Sequence, residues 1–158
     1  MAARFTGRYE HGIDAKGRII IPAKFREGLG TEVVFVPDKK RGCILLYSQE
    51  EFDNFMDRIE EKQDQLSLAG ENEKVQMLEE SKFLINFMAK NAEQDNQGRI
   101  LVPAEMKEEA GIEKTVLSVG NRNRIEIWNP DKANNYVLEK SMGKPDAFAV
   151  ANSFGIRL

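Results

Sequence analysis

The stretch that decides the fold is "DAKGRIIIPAKFREGLG", residues Asp14–Gly30. It returns 81 residues later as "DNQGRILVPAEMKEEAG", residues Asp95–Gly111. Aligned without a gap, the two segments share Asp, Gly, Arg, Ile, Pro, Ala, Glu and Gly. The match continues at the same offset, where "ILLYSQEEFDNF" aligns with "IEIWNPDKANNY". Self-similarity at a fixed offset is typical of tandem structural units.

We therefore predict two similar units, about 8–55 and 89–136. A helical connector at 56–88 joins them, and a C-terminal tail occupies 137–158. The tail contains Gly143 and Pro145 and lacks clear periodicity, which predicts either a loosely ordered end or a segment that docks on a neighbouring subunit.

Each unit has the same predicted order of elements. A short β-branched strand, "RIII" or "RILV", is followed by Pro-Ala, which begins a short helix. That helix ends at a glycine, Gly28 or Gly30 in the first unit and Gly111 in the second. Two further strands and a second helix complete the unit. A unit of this size buries too little surface to be stable alone, so the two copies are expected to form an internal dimer with an α+β fold and a mainly β core.

Composition limits the classes of function. The chain has 158 residues, 41% of them hydrophobic, and a mean hydropathy of -0.49. No apolar run approaches the roughly 18 residues of a membrane span, and the N-terminus lacks a signal-peptide core, so we expect a cytoplasmic protein. Because Cys43 and His11 are the only residues of their kinds, a usual zinc site cannot be built. We expect no metal, no cofactor, no small-molecule substrate and no enzymatic activity.

Charge is segregated along the chain. The net charge is -3, yet residues 1–42 hold nine Lys or Arg against five Asp or Glu. Residues 50–80 hold three against eleven. One face can therefore attract phosphate although the whole protein is acidic. An acidic helix with a solvated face explains the second segment equally well.

The two Asp-x-x-Gly-Arg turns are the candidate functional motif. Gly17 and Gly98 are expected to supply the positive φ that a tight turn requires. Asp14 and Asp95 can accept backbone N–H groups and pair with Arg18 and Arg99. Each pair is consistent with a structural staple of the turn. An arginine held in this way is also preorganised to fork onto guanine or phosphate.

Further basic residues surround the first turn and are candidate DNA contacts: Lys16, Lys24, Arg26 and, along the preceding strand, Arg8. His11 fits packing as well as contact. In the second unit Gln97 stands at the position of Lys16 and Glu105 at that of Lys24. We therefore expect Arg18 to contribute more to binding than Arg99.

The segments "RYEHGIDAKGRIIIPAKFRE", "GCILLY" and "DNQGRILVPAEMKEEAGIEK" with "RIEIW" closely resemble the MraZ family, tandem members of the SpoVT/AbrB swapped-hairpin superfamily. The resemblance implies a pseudo-twofold β-barrel of two swapped-hairpin repeats with short flanking helices. It also implies a nucleoid-associated transcriptional regulator that forms homo-oligomeric rings and binds the promoter of its own division and cell-wall gene cluster. The motif residues are then Asp14 and Arg18, with Asp95 and Arg99.

The expected partner is double-stranded DNA carrying short direct repeats, since a ring presents the same weak contact many times in one direction. The alternative is a cytoplasmic assembly protein that binds no DNA and whose turns contact another protein. Steep weakening of binding with salt favours the first reading.

Overall fold

The computed structural model describes residues 4–157, which form eight strands and six helices. The first half contains β1 (Phe5–Gly12), β2 (Arg18–Ile20), α1 (Ala23–Leu29), β3 (Glu32–Asp38), β4 (Cys43–Ser48), α2 (Gln49–Leu68) and α3 (Asn72–Met88). The second half contains β5 (Lys90–Glu93), β6 (Arg99–Leu101), α4 (Ala104–Glu109), β7 (Thr115–Arg122), β8 (Arg124–Trp128), α5 (Pro130–Ser141) and α6 (Ala147–Ser153). In this part of the chain no helix combines the length and the apolar character needed to cross a bilayer.

Six strands form one antiparallel sheet in the order β1-β7-β8-β4-β3-β5. The first strand of each unit pairs with the other unit, since β1 lies against β7 and β5 lies against β3. The two halves therefore exchange strands within one chain. The predicted α+β class with a mainly β core is confirmed, whereas the unit boundaries stay a prediction.

The remaining strands, β2 and β6, form a separate two-stranded antiparallel ribbon. At its centre Ile19 pairs with Ile100, which are equivalent positions in the repeat. In the large sheet Leu45 pairs with Glu126, again equivalent positions. A pseudo-twofold axis therefore passes through both pairs and relates the two halves of the protein.

The expected closed barrel is not found among residues 4–157. The strands β1 and β5 each have one strand neighbour in the large sheet, which leaves it open. The turn after β1 is connected to the ribbon by the isolated bridge of Ile13 with Ile19 and by the hydrogen bond from the Asp14 N–H to the Arg18 carbonyl, at 2.9 Å.

The main core lies between the ribbon and one face of the large sheet, with α1 and α4 at its sides. Its largest fully buried side chains come from the ribbon, the sheet and α1: Phe25, Phe35, Ile19, Ile21, Leu29, Ile44, Leu46, Ile100, Ile125 and Ile127. Met106 of α4 is buried beside them. The "RIII" and "RILV" runs supply the inward residues of the ribbon, because alternate side chains of a strand point to opposite faces.

The two halves differ in the lengths of the segments before and after β7, although their sequences align without a gap. The β3–β4 hairpin closes at Asp38 and Cys43 and leaves four residues in its loop, whereas β7–β8 closes at Asn121 and Arg124 and leaves two. The α4 helix and its connection to β7 together take 11 residues, against 9 for α1 and its connection to β3, which offsets the two residues missing from that hairpin loop. The offset of 81 residues is therefore preserved although β7 is displaced relative to β3.

The outer face of the sheet carries a polar network around Glu126, which is 3% exposed. Arg41 donates to both carboxylate oxygens, at 3.0 and 2.8 Å, and Arg124 and the Trp128 indole donate as well. Burial by itself raises the pKa of Glu126, but these hydrogen bonds outweigh it and lower the pKa to about 2. Leu45 occupies the equivalent position in the other half, so Glu126 has no acidic counterpart there, although Arg41 of that half donates to it.

Two helical features differ from the sequence-based expectation. The second helix of the first unit continues as α2 to Leu68, and α3 returns against it as a helical hairpin. The tail contains a further helix, α6, whose N-cap Asp146 accepts the backbone N–H groups of Phe148 and Ala149. Of the two alternatives for the tail, a capped helix of seven residues does not fit a loosely ordered end, and docking on a neighbouring subunit stays a prediction. Such a short helix gives no clear periodicity in the sequence.

We predict that Ile100→Ala lowers the free energy of unfolding by about 2–5 kcal/mol, because the side chain is fully buried at the axis. The neighbouring variant Leu101→Ala is the matched control, since Leu101 lies on the opposite face of the ribbon and is 56% exposed. It should change stability by no more than about 0.5 kcal/mol. Urea denaturation measures both, and equal losses would contradict the placement of the core.

Candidate nucleic-acid interface

The first turn is organised by the carboxylate of Asp14. Its Oδ1 accepts the backbone N–H groups of Lys16 and Arg18 at 2.9 and 2.8 Å, and its Oδ2 accepts Nε of Arg18 at 2.8 Å. The backbone closes the turn between Asp14 and Gly17 at 3.0 Å. Gly17 has φ 85, a conformation in which a Cβ is strained.

The second turn repeats this arrangement. Oδ1 of Asp95 accepts the backbone N–H groups of Gln97 and Arg99, each at 2.9 Å, and Oδ2 accepts Nε of Arg99 at 2.7 Å. Gly98 has φ 81. Both turns thus have a glycine at positive φ and an Asp–Arg pair, while the functional role of these residues stays a prediction.

The hydrogen bonds hold both carboxylates in the charged form. The backbone N–H of Arg99, followed by its side chain, lowers the pKa of Asp95 to about 2. The backbone N–H of Arg18 is the largest cause of a lowered pKa at Asp14. The pKa of each aspartate is lower in the folded protein than its ordinary value. The stability that each pair contributes is therefore fully present at pH values above the ordinary pKa, and it is lost as the pH falls through the lowered pKa. The turns are therefore unaffected near neutral pH.

Both arginines lie on the outer face of the ribbon. In its register Arg18 pairs with Leu101 and Ile20 pairs with Arg99, so the two arginines are diagonal neighbours. Such diagonal positions are about 7–8 Å apart in an antiparallel pair. Arg18, Ile20 and Arg99 line one shallow cavity of about 520 Å³ together with residues of the first turn.

The guanidinium groups are held at Nε and open at their tips. The Arg18 and Arg99 side chains are 38% and 42% exposed. Within residues 4–157 the Nη groups of these two arginines have no hydrogen-bond partner. Each arginine therefore retains a pair of donors, which is the group that forks onto guanine O6 and N7 or onto phosphate.

The two turns are interlocked across the ribbon. The carbonyl of Gly98 accepts the N–H of Ile21 at 2.7 Å, and the carbonyl of Gly17 accepts the N–H of Val102 at 2.9 Å. Arg26 of α1 takes part in this exchange, because its Nε donates to Ile21 O at 2.8 Å and its side chain lies against Gly98.

Arg26 therefore lies at the second turn, whereas the sequence analysis placed it with the basic residues around the first turn. The sequence gives no signal for this crossing, which follows from the exchange of strands between the units. A positive charge from the first unit partly replaces the charge that the second turn lacks at Gln97 and Glu105.

The other predicted basic residues occupy different surfaces. Lys16 is exposed beside Arg18, and Lys24 is exposed on α1. Arg8 lies on the face of the sheet away from the ribbon, because its strand neighbour Tyr9 packs on Phe25 of the core side. The structure therefore does not bring Arg8 together with the turns.

His11 is directed inward and not toward the ribbon surface. Its Nε2 lies 2.7 Å from Oγ of Ser118, a fully buried residue. Burial lowers the pKa of His11, although a hydrogen bond with the Gly12 backbone opposes the change. This environment favours the packing alternative. In the described range 4–157 no group of three or more His, Cys, Asp or Glu side chains is placed to hold a metal ion.

Two similar units that exchange their first strands, each with an Asp-x-x-x-Arg turn, define a tandem swapped-hairpin protein. A family model described as "MraZ protein, putative antitoxin-like" matches residues 4–69 and 87–151. The chain is 38% identical over 140 residues to a protein of Acetivibrio thermocellus named "Transcriptional regulator MraZ", with 87% of this chain and 90% of the relative covered. A protein of the same name from Thermoanaerobacter sp. (strain X514) is 43% identical over 127 residues, which cover 79% and 80%. The chain belongs to the MraZ family.

We predict that Gly98→Ala destabilises the protein more than Gly17→Ala. Both changes place a Cβ at positive φ, at a cost of about 1–2 kcal/mol. At Gly98 the new Cβ also collides with Arg26, whereas at Gly17 the nearest side-chain atom is Leu101 Cδ1 at 3.7 Å. Thermal unfolding measures the difference. Adding Arg26→Ala should recover part of the stability lost in Gly98→Ala. No recovery would contradict the contact between Arg26 of the first unit and the second turn.

Proposed function

We propose that the protein is a sequence-specific transcriptional regulator that binds double-stranded DNA through the outer face of the β2–β6 ribbon, with Arg18 and Arg99 as its readers. The observation that carries the proposal is the pair of diagonal arginines, each held at Nε by an aspartate and open at Nη. The major groove admits a two-stranded β-ribbon, and an arginine fork is the commonest specific contact with guanine.

Preorganisation supports this assignment. A free arginine loses rotamer freedom on binding, whereas Asp14 and Asp95 hold these side chains in place beforehand. The exposed ion pairs contribute little to stability by themselves, so orientation of the guanidinium groups is the stronger reason for their presence in both turns.

The names of the relatives support the regulatory role and a non-enzymatic one. For this chain we propose the promoter of its own division and cell-wall gene cluster as target, at short direct repeats, and a cytoplasmic, nucleoid-associated location. Lys16, Lys24 and Arg26 are proposed phosphate or base contacts near the ribbon. Arg8, on the other face of the sheet, is proposed to contact a phosphate only where DNA passes around the edge strand β1.

Self-association into a ring is part of the proposal, because a single ribbon makes few contacts and linked copies raise avidity by roughly 10²–10⁴. Two apolar surfaces support it. On α3 the rings of Phe83 and Phe87 stack with centroids 6.0 Å apart and are 67% and 74% exposed. On the tail, Phe148 and Phe154 are 64% and 79% exposed. We propose that such surfaces meet between neighbouring copies.

We predict that Arg18→Ala weakens binding to a duplex from upstream of the protein's own gene, as measured by fluorescence anisotropy. The loss should be about 1–3 kcal/mol for one bidentate contact, or about 5- to 150-fold. Arg99→Ala should lose less, since Gln97 is neutral where Lys16 is charged. Arg58→Ala, on the exposed face of α2, removes the same charge away from the ribbon and should bind like the wild type.

Reciprocal variants separate the roles of the two turns. Lys16→Gln places in the first turn the residue that the second turn has at the equivalent position, and Gln97→Lys places the lysine of the first turn in the second. Each lysine that contacts a phosphate should change the slope of log affinity against log salt by about one unit. An equal or larger loss for Arg99→Ala would overturn the predicted order. Absence of any preference over an unrelated duplex would favour the assembly-protein alternative.

We predict that Phe154→Ser lowers the oligomeric state measured by light scattering after size exclusion. Removal of a large apolar side chain weakens an interface but leaves the core of the protomer intact. Glu139→Ser, also on an exposed helical surface, is the control and should leave the assembly unchanged. A wild-type protein that is monomeric at micromolar concentration would contradict the ring.

A further inference from the structure

Two large apolar side chains lie on the outer face of the ribbon. Ile20 is 53% exposed and Leu101 is 56% exposed, although the adjacent Ile19 and Ile100 are buried in the core. Strand alternation explains why these positions point outward, but it does not explain why they are apolar. An outward position on a two-stranded ribbon is ordinarily polar.

The register places each apolar residue beside an arginine. Leu101 is the cross-strand partner of Arg18, and Ile20 is the cross-strand partner of Arg99. On the outer face, two guanidinium groups and two aliphatic groups therefore alternate along and across the two strands. The pseudo-twofold axis relates Arg18 and Ile20 to Arg99 and Leu101, so both halves present the same pair.

Charge decides which partner fits this face. Two open guanidinium groups require a surface rich in acceptors, and the guanine edge and phosphate oxygens of a duplex provide them. The same groove offers one apolar group, the C5-methyl of thymine, which aliphatic side chains contact. A purely apolar protein interface would leave both guanidinium groups buried without partners, at a high cost.

We propose that Ile20 and Leu101 are specificity-determining residues that contact thymine methyl groups next to the bases read by the arginines. This inference rests on the proposed DNA-binding function and adds the chemical class of base that the ribbon prefers. The preferred site then contains thymine close to guanine in each half that the ribbon covers.

Replacement of thymine by deoxyuridine tests the inference, because it removes the methyl group and leaves the hydrogen-bonding edge unchanged. The probe is the duplex that the wild-type protein selects from a random pool, with each thymine replaced in turn. Loss of one buried methyl group should weaken binding about fourfold. The effect should be confined to the one or two thymines nearest the ribbon.

The variants Ile20→Ala and Leu101→Ala identify the side chain responsible. Each should bind thymine and deoxyuridine duplexes equally at one position and keep the wild-type discrimination at the other. Leu68→Ala is the matched control, since it removes an aliphatic side chain that is 91% exposed at the end of α2. It should retain the full methyl effect. Melting temperatures near that of the wild type establish that the variants are folded.

The outcomes distinguish this inference from the function on which it rests. Selected duplexes that depend on Arg18 but bind equally with deoxyuridine at every position would overturn the thymine contact and leave the regulator role intact. Equal weakening of both duplexes by Ile20→Ala, together with loss of oligomers, would assign the apolar face to a second copy of the chain and overturn the inference. Failure to select any duplex would overturn both.

Discussion

The pairing of Ile19 with Ile100 is the constraint on which the rest of the molecule depends. These buried side chains fix the register of the ribbon at the pseudo-twofold axis. A slip of one residue would reverse the faces of a strand and place Arg18 or Arg99 in the core. The cost of burying an unpaired guanidinium makes that alternative inaccessible. The hydrophobic centre of the ribbon therefore also determines that the arginines are exposed.

The turns convert this register into a defined site. Each carboxylate accepts two backbone N–H groups and one arginine Nε, so the side chain is oriented by the same group that closes the turn. Interlocking through Gly17 and Gly98 makes each turn depend on the strand of the opposite unit. Exchange of strands is thus a condition for the site as well as for the stability of the fold. A unit separated from its partner would keep the motif but lose the ribbon that presents it.

Much of this organisation could be predicted from the sequence because it is local. The strand runs and the glycine turns are patterns of a few neighbouring residues, and the repeat is visible because both copies keep those local patterns. The position of Arg26 could not be predicted, since it follows from which unit covers which turn. The displacement of β7 was concealed because a shorter hairpin and a longer connection cancel in a gapless alignment. The barrel was expected from family resemblance, whereas in residues 4–157 the large sheet is open because β1 and β5 each have one strand neighbour in it.

The two halves of the protein differ at the axis of the sheet and at the turns that flank the ribbon, so the two ends of the ribbon are not equivalent. At the axis of the sheet, Leu45 faces Glu126 with its arginine network, and at the turn tips Lys16 has Gln97 as its counterpart. A fully symmetric ribbon would bind a duplex equally in both orientations, because the backbone of DNA has its own dyads. In the proposed mode of binding, the unequal turn tips make the two orientations differ in energy by the contacts of Lys16. A protein that assembles head to tail needs such a difference, since each copy must meet the duplex in the same sense for direct repeats to be read. The two units therefore differ in charge at their turn tips while they share one ribbon of equivalent strands.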